Sequence, residues 1–564
     1  MDEALERMRR FFIEENPSRS RFHKEKLRIA QDHGLSSTPT NIDVFLSSSS
    51  SEERERLRVL RTKPMRNLSG VSVVAIMTEP RLCPHGKCIY CPGGPKSVMG
   101  NVPMAYTGQE PASMRGERCG YDAYLQVFTR LEQYVSAGHV PQKIELIVMG
   151  GTLPSYELSY QEGFVRDALC AMNDFSSMFF VDGSIEYDSF KVFFELPARL
   201  DDRARADRIH ARIREVKARN RDDLTRAQEL NEQVAVRCVG MTMETRADFS
   251  MFTEADRMLE QGATRVELGV QSVSDEVLEY TGRSHSAQDN KDATRVLKDL
   301  GFKVNYHMMP GLPGVSLVED IEGLRTLFRD PEYRPDMLKI YPTGVFPGTV
   351  LYDYYKLGHY KPLRIDDAVP MLATFLPEVP SYVRVMRVQR DIPSHMFADG
   401  VLKTNLRQYV EDEMRVRGVW PREIRYREIG LNQDRLRSEP DEQILVLEYE
   451  ASGGREFFIS YEDVNNDVLL GFVRLRFPSE CLREEVTDTT AFVRELHVYG
   501  DAELLGRLGR DQHRGIGKRL MARAEDICRD HGKDRVLVIS GIGVRGYYAK
   551  LGYVRMGPYM GRDL

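Results

Sequence analysis

Apolar, β-branched segments of strand length recur along the first two thirds of the chain, at residues 71–77 (VSVVAIM), 144–150 (IELIVMG), 238–245 (CVGMTMET), 265–272 (RVELGVQS), 303–310 (KVNYHMMP) and 337–343 (MLKIYPT). Polar stretches long enough for a helix separate them. Apolar runs of this kind mark strands covered on both faces, so the pattern predicts parallel strands joined by crossover helices. Six such units make a partial (β/α)6 barrel, an α/β fold whose chemistry sits at the C-terminal strand ends. Those ends are glycine-rich or polar here: GGT after the second strand, ETR after the third, QS after the fourth. From about residue 440 the pattern changes. QILVLEYE, EFFISYED, VLLGFVRLRF and FVRELHVYG follow one another across turns such as ASGGR and VNND, and a glycine-marked helix (515–530) and the strand RVLVISGIG come after them. This predicts a separate α+β domain.

The chain thus divides into a charged, helix-prone segment (1–66), the barrel (67–395), a mixed connector (396–435) and the α+β domain (436–564). The serine run at 47–51 reads as a flexible joint. Residues 199–232 read as one long charged helix that projects from the barrel and carries no chemistry. A length of 564 residues exceeds one ordinary core, and 41% hydrophobic with 29% charged residues is a soluble globular composition. No apolar run approaches the ~18 residues of a membrane span, and the N-terminus lacks a signal-peptide core, so a cytoplasmic location without membrane association is expected.

The net charge of −6 is unevenly spread. Arg19, Arg21, Lys24, Lys26 and Arg28 crowd one stretch, and Arg54, Arg56, Arg58, Arg61, Lys63 and Arg66 another. Either run alone reads as a solvated helix face. Two in one segment point to a phosphate-binding arm, with Lys24, Lys26 and Arg28 as candidate RNA contacts.

Of eight cysteines, only Cys83, Cys88 and Cys91 cluster, as C-P-H-G-K-C-I-Y-C directly after the first barrel strand. Three thiolates hold three irons of a [4Fe–4S] cluster and leave the fourth open to a ligand. A zinc site needs a fourth ligand, for which His85 is nearest. The placement of the loop at the catalytic mouth of the barrel favours the cluster. The loop resembles that of the radical S-adenosylmethionine (SAM) superfamily, with Tyr90 before the last cysteine and a first gap one residue longer than usual. Gly150, Gly151 and Thr152 resemble the element of that superfamily that holds SAM.

In the C-terminal domain, Gln512-His513-Arg514-Gly515-Ile516-Gly517 places glycines at a helix entrance, where backbone N–H groups and the helix dipole accept a pyrophosphate. It follows FVRELHVYG, a strand whose backbone could pair with a pantetheine arm, and precedes GVRGYYAKLGY. Together these resemble a GNAT acetyltransferase. Of Tyr547 and Tyr548, adjacent in a helix, one is expected inward and one toward the ligand. Tyr548 is the candidate proton donor to the departing thiolate.

Radical SAM followed by GNAT, with CPHGKCIYCPGGP, VMGGT, ETRADFS, ELGVQS, HMMPGLPG, LKIYPT, VQRDIPS, RELHVYG and SGIGVRGYYAKLGY, resembles the family of Elongator catalytic subunits, from about residue 20 to the C-terminus. The resemblance implies a tRNA carboxymethyluridine synthase that uses a SAM-derived 5′-deoxyadenosyl radical and acetyl-CoA to modify C5 of the wobble uridine, position 34 of the anticodon stem–loop. It implies acetyl-CoA contacts at Glu495, Leu496, His497, Val498, Ile516, Gly517, Lys518 and Tyr548, and at Lys143, which composition alone would make a surface residue. Family members often carry extra connector cysteines; VRGVWPREIRYREIG has none, so no structural zinc is expected. The competing reading is a protein lysine acetyltransferase, which needs the GNAT domain alone. Sequence leaves open whether the protein is a homodimer and whether it has accessory subunits.

Overall fold

The computed structural model describes residues 2–48, 50–60, 70–196, 202–499 and 515–564. The basic residues Arg61, Lys63 and Arg66, and Gln512–Arg514 of the glycine loop, lie outside them. Seven parallel strands, β1 (Val71–Met77), β2 (Lys143–Met149), β3 (Arg237–Thr245), β4 (Arg265–Gln271), β5 (Lys303–Met308), β6 (Met337–Ile340) and β7 (Arg384–Arg387), hydrogen-bond in that order. All six predicted strands are present. The seventh has four residues with an arginine at each end, too short and polar to stand out.

The sheet curls without closing, so β1 and β7 are both edges. Period-two alternation sets the inner face. On β2, Ile144, Leu146 and Val148 are buried beneath helices, whereas Ile147 and Met149 line a central cavity. Edge strands leave backbone groups unpaired, and here side chains satisfy two of them. Tyr134 Oη donates to Val73 O (2.7 Å) and Arg115 Nη2 to Ala75 O (2.8 Å).

Residues 202–232 do not form one projecting helix. They form helices Arg203–Arg219 and Leu224–Asn231, broken at extended Asn220. Ile209 and Ile213, one turn apart, are buried in the main core, and Lys217 reaches Asp122 (2.7 Å) and Asp167 (2.8 Å) on barrel helices. A two-residue apolar stripe in a charged helix is enough to dock it. The N-terminal helices Asp2–Glu15 and Arg19–Asp32 close a separate small core around Phe12, Phe22 and Ile29. Ser50, within the serine run expected to be a joint, caps helix Ser51–Arg56 by accepting from Glu53 N (3.2 Å).

The second sheet holds β8 (Glu442–Ala451), β9 (Gly454–Asp463), β10 (Val468–Phe477), β11 (Thr490–Val498), β12 (Arg535–Val538), β13 (Val554–Met556) and β14 (Tyr559–Asp563), in the order β8-β9-β10-β11-β12-β14-β13. Only β11 and β12 pair in parallel. The helix Ile516–Asp530 crosses between them.

Charged side chains without solvent exposure tie the second sheet to the N-terminal strand ends of the first. Arg494 donates to both oxygens of Asp336 (2.6 and 2.8 Å), to Glu456 (2.8 Å) and to Phe302 O (2.7 Å). Arg476 bridges Asp299 (2.5 Å) and Glu456 (3.0 Å). Asp299 and Asp336 belong to the barrel, the arginines to β10 and β11. Burying charges costs several kcal/mol per ion, and only close pairing with good hydrogen bonds offsets it. Removing one partner therefore penalises both domains.

Candidate active site

At the C-terminal mouth of the barrel the three cysteines of the 83–91 loop converge. Cys83 Sγ lies 3.9 Å from Thr152 Oγ1, Arg283 Nη1 3.9 Å from Cys88 Sγ, and Ala105 N donates to Cys91 Sγ (3.2 Å). Donors directed at sulfur suit thiolate ligands. His85 Nε2 accepts from Arg246 Nη1 at 2.9 Å and lies 3.3 Å from Cys88 Sγ, so it is engaged by the guanidinium beside the thiol, and burial with Arg246 and Arg283 nearby lowers its pKa to about 4. The donor set is three thiols, which fits a cluster with one open iron better than tetrahedral zinc.

Gly150 and Gly151, at the end of β2, have φ of 120° and 115°, in the region that favours glycine. A Cβ on Gly150 would stand 2.4 Å from Thr78 Oγ1 and 2.9 Å from Thr78 N. Glycine here lets the β1 and β2 ends close beside the cysteine loop, and Thr152 turns toward Cys83. The structure brings these predicted cluster and SAM residues together.

The cavity below measures about 630 Å³, and its inner wall is charged. Lys339 pairs with buried Glu267, which also bonds His307 Nε2 (2.9 Å), and Tyr106 Oη donates to Glu244 (2.6 Å). Glu244, Glu267 and His307 could face one metal ion, but Lys339 already supplies the positive charge there. Arg246, Arg283, Glu267, His307 and Lys339 were not singled out in the sequence. All but Arg283 lie inside ETRADFS, ELGVQS, HMMPGLPG and LKIYPT, at positions that period-two alternation turns inward.

The acetyl-CoA candidates gather in the other domain. β12 accompanies β11 only as far as Val493, so the strands part before Glu495, Leu496, His497 and Val498. Gly515 (φ 81°) opens the helix Ile516–Asp530 and, among the described residues, no side chain caps it, which leaves first-turn N–H groups of the Ile516-Gly517-Lys518 turn for an anion. A Cβ on Gly517 would meet Tyr547 Oη at 2.7 Å, and Leu496 lies at 3.8 Å, so glycine loop, parted strand and tyrosine helix meet. Tyr548 is buried, close enough to Glu495 to feel its charge; Tyr547 is 38% exposed. The Glu495 side chain pairs with Arg474 (2.9 Å) and Lys303 (3.8 Å), which leaves its backbone to face the gap. His497 stacks on Phe472 and is held neutral by burial.

Lys143 begins β2, level with Val71 and Arg237, at the end opposite Gly150. Seven residues at ~3.3 Å separate the two ends by about 20 Å. Burial lowers its pKa. Its end of the sheet faces the second domain: Gly541 and Gly543 pack on Val239 and Arg237 so closely that a Cβ would come within 2.1 and 2.4 Å.

The N-terminal candidates stand differently. Lys24 is exposed, and Arg28 is exposed but bonded twice to Glu25 (2.6 and 3.1 Å). Lys26 is buried and donates to Pro39 O (2.9 Å), so it closes the small core and offers no charge to phosphate.

Comparison with known proteins agrees with this layout. Residues 80–327 match the radical SAM superfamily, 335–416 the radical SAM C-terminal domain and 425–553 the acetyltransferase (GNAT) family. Membership of the first brings a [4Fe–4S] cluster and SAM, and of the last acetyl-CoA. The tRNA uridine(34) acetyltransferase of Methanocaldococcus infernus is 43% identical over 533 residues, covering 93% of this chain and 92% of that protein. Elongator complex protein 3 of Homo sapiens is 38% identical over 550 residues (95% and 92%). The solved structure of archaeal M. infernus Elp3 with an N-terminus deletion superposes with a TM-score of 0.71 at 38% identity, covering 88% of this chain and 99% of that one. With both domains matched in one order and nearly end to end, this chain belongs to the family of Elongator complex protein 3 and tRNA uridine(34) acetyltransferase.

Proposed function

We propose that the protein modifies C5 of the wobble uridine of tRNA, as a carboxymethyluridine synthase drawing two carbons from acetyl-CoA. The observation that carries this reading is one barrel with a three-thiol mouth at its C-terminal end and a GNAT sheet, with its parted strand, fixed to its N-terminal end by buried ion pairs. A protein acetyltransferase would have no use for that joint. Its relatives are named for tRNA uridine(34). When bound, the cluster and SAM supply a carbon-centred radical, which side chains cannot make. The protein's own groups hold the thioester in the gap after Val493, seat the pyrophosphate on the uncapped helix at Gly515, and offer the Tyr548 hydroxyl as proton donor to the thiolate.

Mass spectrometry of wobble nucleosides from cells with and without the gene tests the reading; an unchanged nucleoside profile overturns it. In vitro, acetyl-CoA hydrolysis should respond to tRNA and not to histone-like peptides. Lys143→Ala and Tyr548→Phe should each slow it at least tenfold with RNA affinity unchanged, and wild-type rates in both would remove these residues from the site.

A further inference from the structure

The cavity is lined at the seam between the unpaired edges by Val73 and Ala75 of β1 and Arg387 of β7, and the cations around it are unusually arranged. Arg246 and Arg387 are neutralised by Asp248 and Asp391, and Arg283 faces the Cys88 thiol. Arg115, Arg130 and Arg390 line the same cavity and, among the described residues, form no ion pair with a carboxylate. Arg115 bonds Ala75 O, and Arg130 bonds Gln133 (2.9 Å) and Tyr134 Oη (3.2 Å). The Nε atoms of both are buried without a partner. Burial and then the neighbouring Arg130 push the pKa of Arg115 down to about 10. Two partly buried guanidiniums that repel each other, with unused donors, are a site completed by an anion.

Across the seam, Arg390 lies 5.9 Å from the Tyr106 ring centroid and 5.8 Å from that of Tyr341. It also donates to Ala105 O, and Ala105 N in turn donates to Cys91 Sγ. A planar cation beside two aromatic rings, next to the cysteine loop, is the surface on which an unstacked base settles.

We propose that the β1/β7 seam takes one nucleotide extruded from a single-stranded RNA loop. Its flanking phosphates sit on Arg115 and Arg130, and its base lies against Arg390, Tyr106 and Tyr341. Resting on the tRNA reading above, the inference adds RNA contacts on the barrel itself to those expected of the N-terminal arm, where Lys24 and Arg28 are exposed and Lys26 is buried. Extrusion is the usual solution where chemistry must reach a base atom inside a structured nucleic acid.

The test uses full-length, cluster-reconstituted protein and a labelled anticodon stem–loop whose wobble base is 2-aminopurine, followed by anisotropy over a potassium chloride series. Changing Arg115→Gln and Arg130→Gln together should lower the log–log salt slope by about 1.4–1.8, as expected for two phosphates. The paired lysine variants should restore it. Arg390→Ala should raise the 2-aminopurine fluorescence of the complex by relieving stacking. An unchanged slope in the glutamine variant, with wild type binding normally, overturns the seam and spares the tRNA reading. Loss of acetyl-CoA affinity with an intact RNA slope overturns it too, by assigning the anion to the coenzyme. If the wild-type protein does not bind the stem–loop at all, both readings fall.

Discussion

Replacing Arg494 by methionine tests whether the two domains are energetically one. The change keeps much of the side-chain volume but removes the donors to Asp336, Glu456 and Phe302 O, leaving two buried carboxylates short of a partner. Breaking a buried pair from one side costs about 3–5 kcal/mol. If the 564 residues melt together, an unfolding entropy of ~2.1 cal/mol/K per residue gives about 1.2 kcal/mol/K, and a 4 kcal/mol loss lowers Tm by about 3 °C. Calorimetry should show that shift, and Arg455→Met, whose exposed side chain pairs with Glu448, should stay within about 0.5 kcal/mol of wild type. Adding Asp336→Asn to Arg494→Met should cost less than the sum of the single changes, because both remove the same interaction. The pH dependence has a definite sign. Burial raises the Asp336 pKa, but Arg494, Lys298 and Arg474 outweigh it and hold the carboxyl well below the usual range. Its stabilisation is present above the unfolded value of about 3.9 and is lost as pH falls toward the folded value, so the gap between wild type and variant should begin to narrow below about pH 5 and keep narrowing as acidification continues. A variant that melts with the wild type at neutral pH, or a gap that widens on acidification, would refute the coupling.

Two further outcomes concern the mouth of the barrel. Changing Cys83, Cys88 and Cys91 to Ser together should abolish the visible iron–sulfur absorbance of anaerobically reconstituted protein, since each thiolate binds one iron; retained absorbance would place the cluster elsewhere. Gly150→Ala should at least halve SAM affinity and lower stability by about 1–3 kcal/mol, because its Cβ meets the Thr78 backbone at a strained φ; equilibrium dialysis and melting check both, and wild-type values would show that the β1 and β2 ends can give way.

The amino-acid sequence by itself determined the strand order of the barrel, the cysteine loop and the glycine-marked helix. Each is a local pattern: apolar runs, a spacing of thiols, glycines at a helix entrance. It missed β7, whose four residues are flanked by arginines and become a strand only because β6 offers an edge to pair with. It misjudged residues 199–232 because two isoleucines in a charged helix carry little signal until a barrel surface exists to receive them. Lys26 looked like a phosphate contact because charge is visible in a sequence and burial is not. Only the tertiary structure set Arg474, Arg476 and Arg494, ordinary strand residues by composition, against Asp299 and Asp336 more than a hundred positions away. Among the described residues it likewise left Arg115 and Arg130 without counter-ions. Long-range electrostatics depends on which charges come within a few ångströms in a low dielectric, and that is fixed by packing, not by neighbours along the chain.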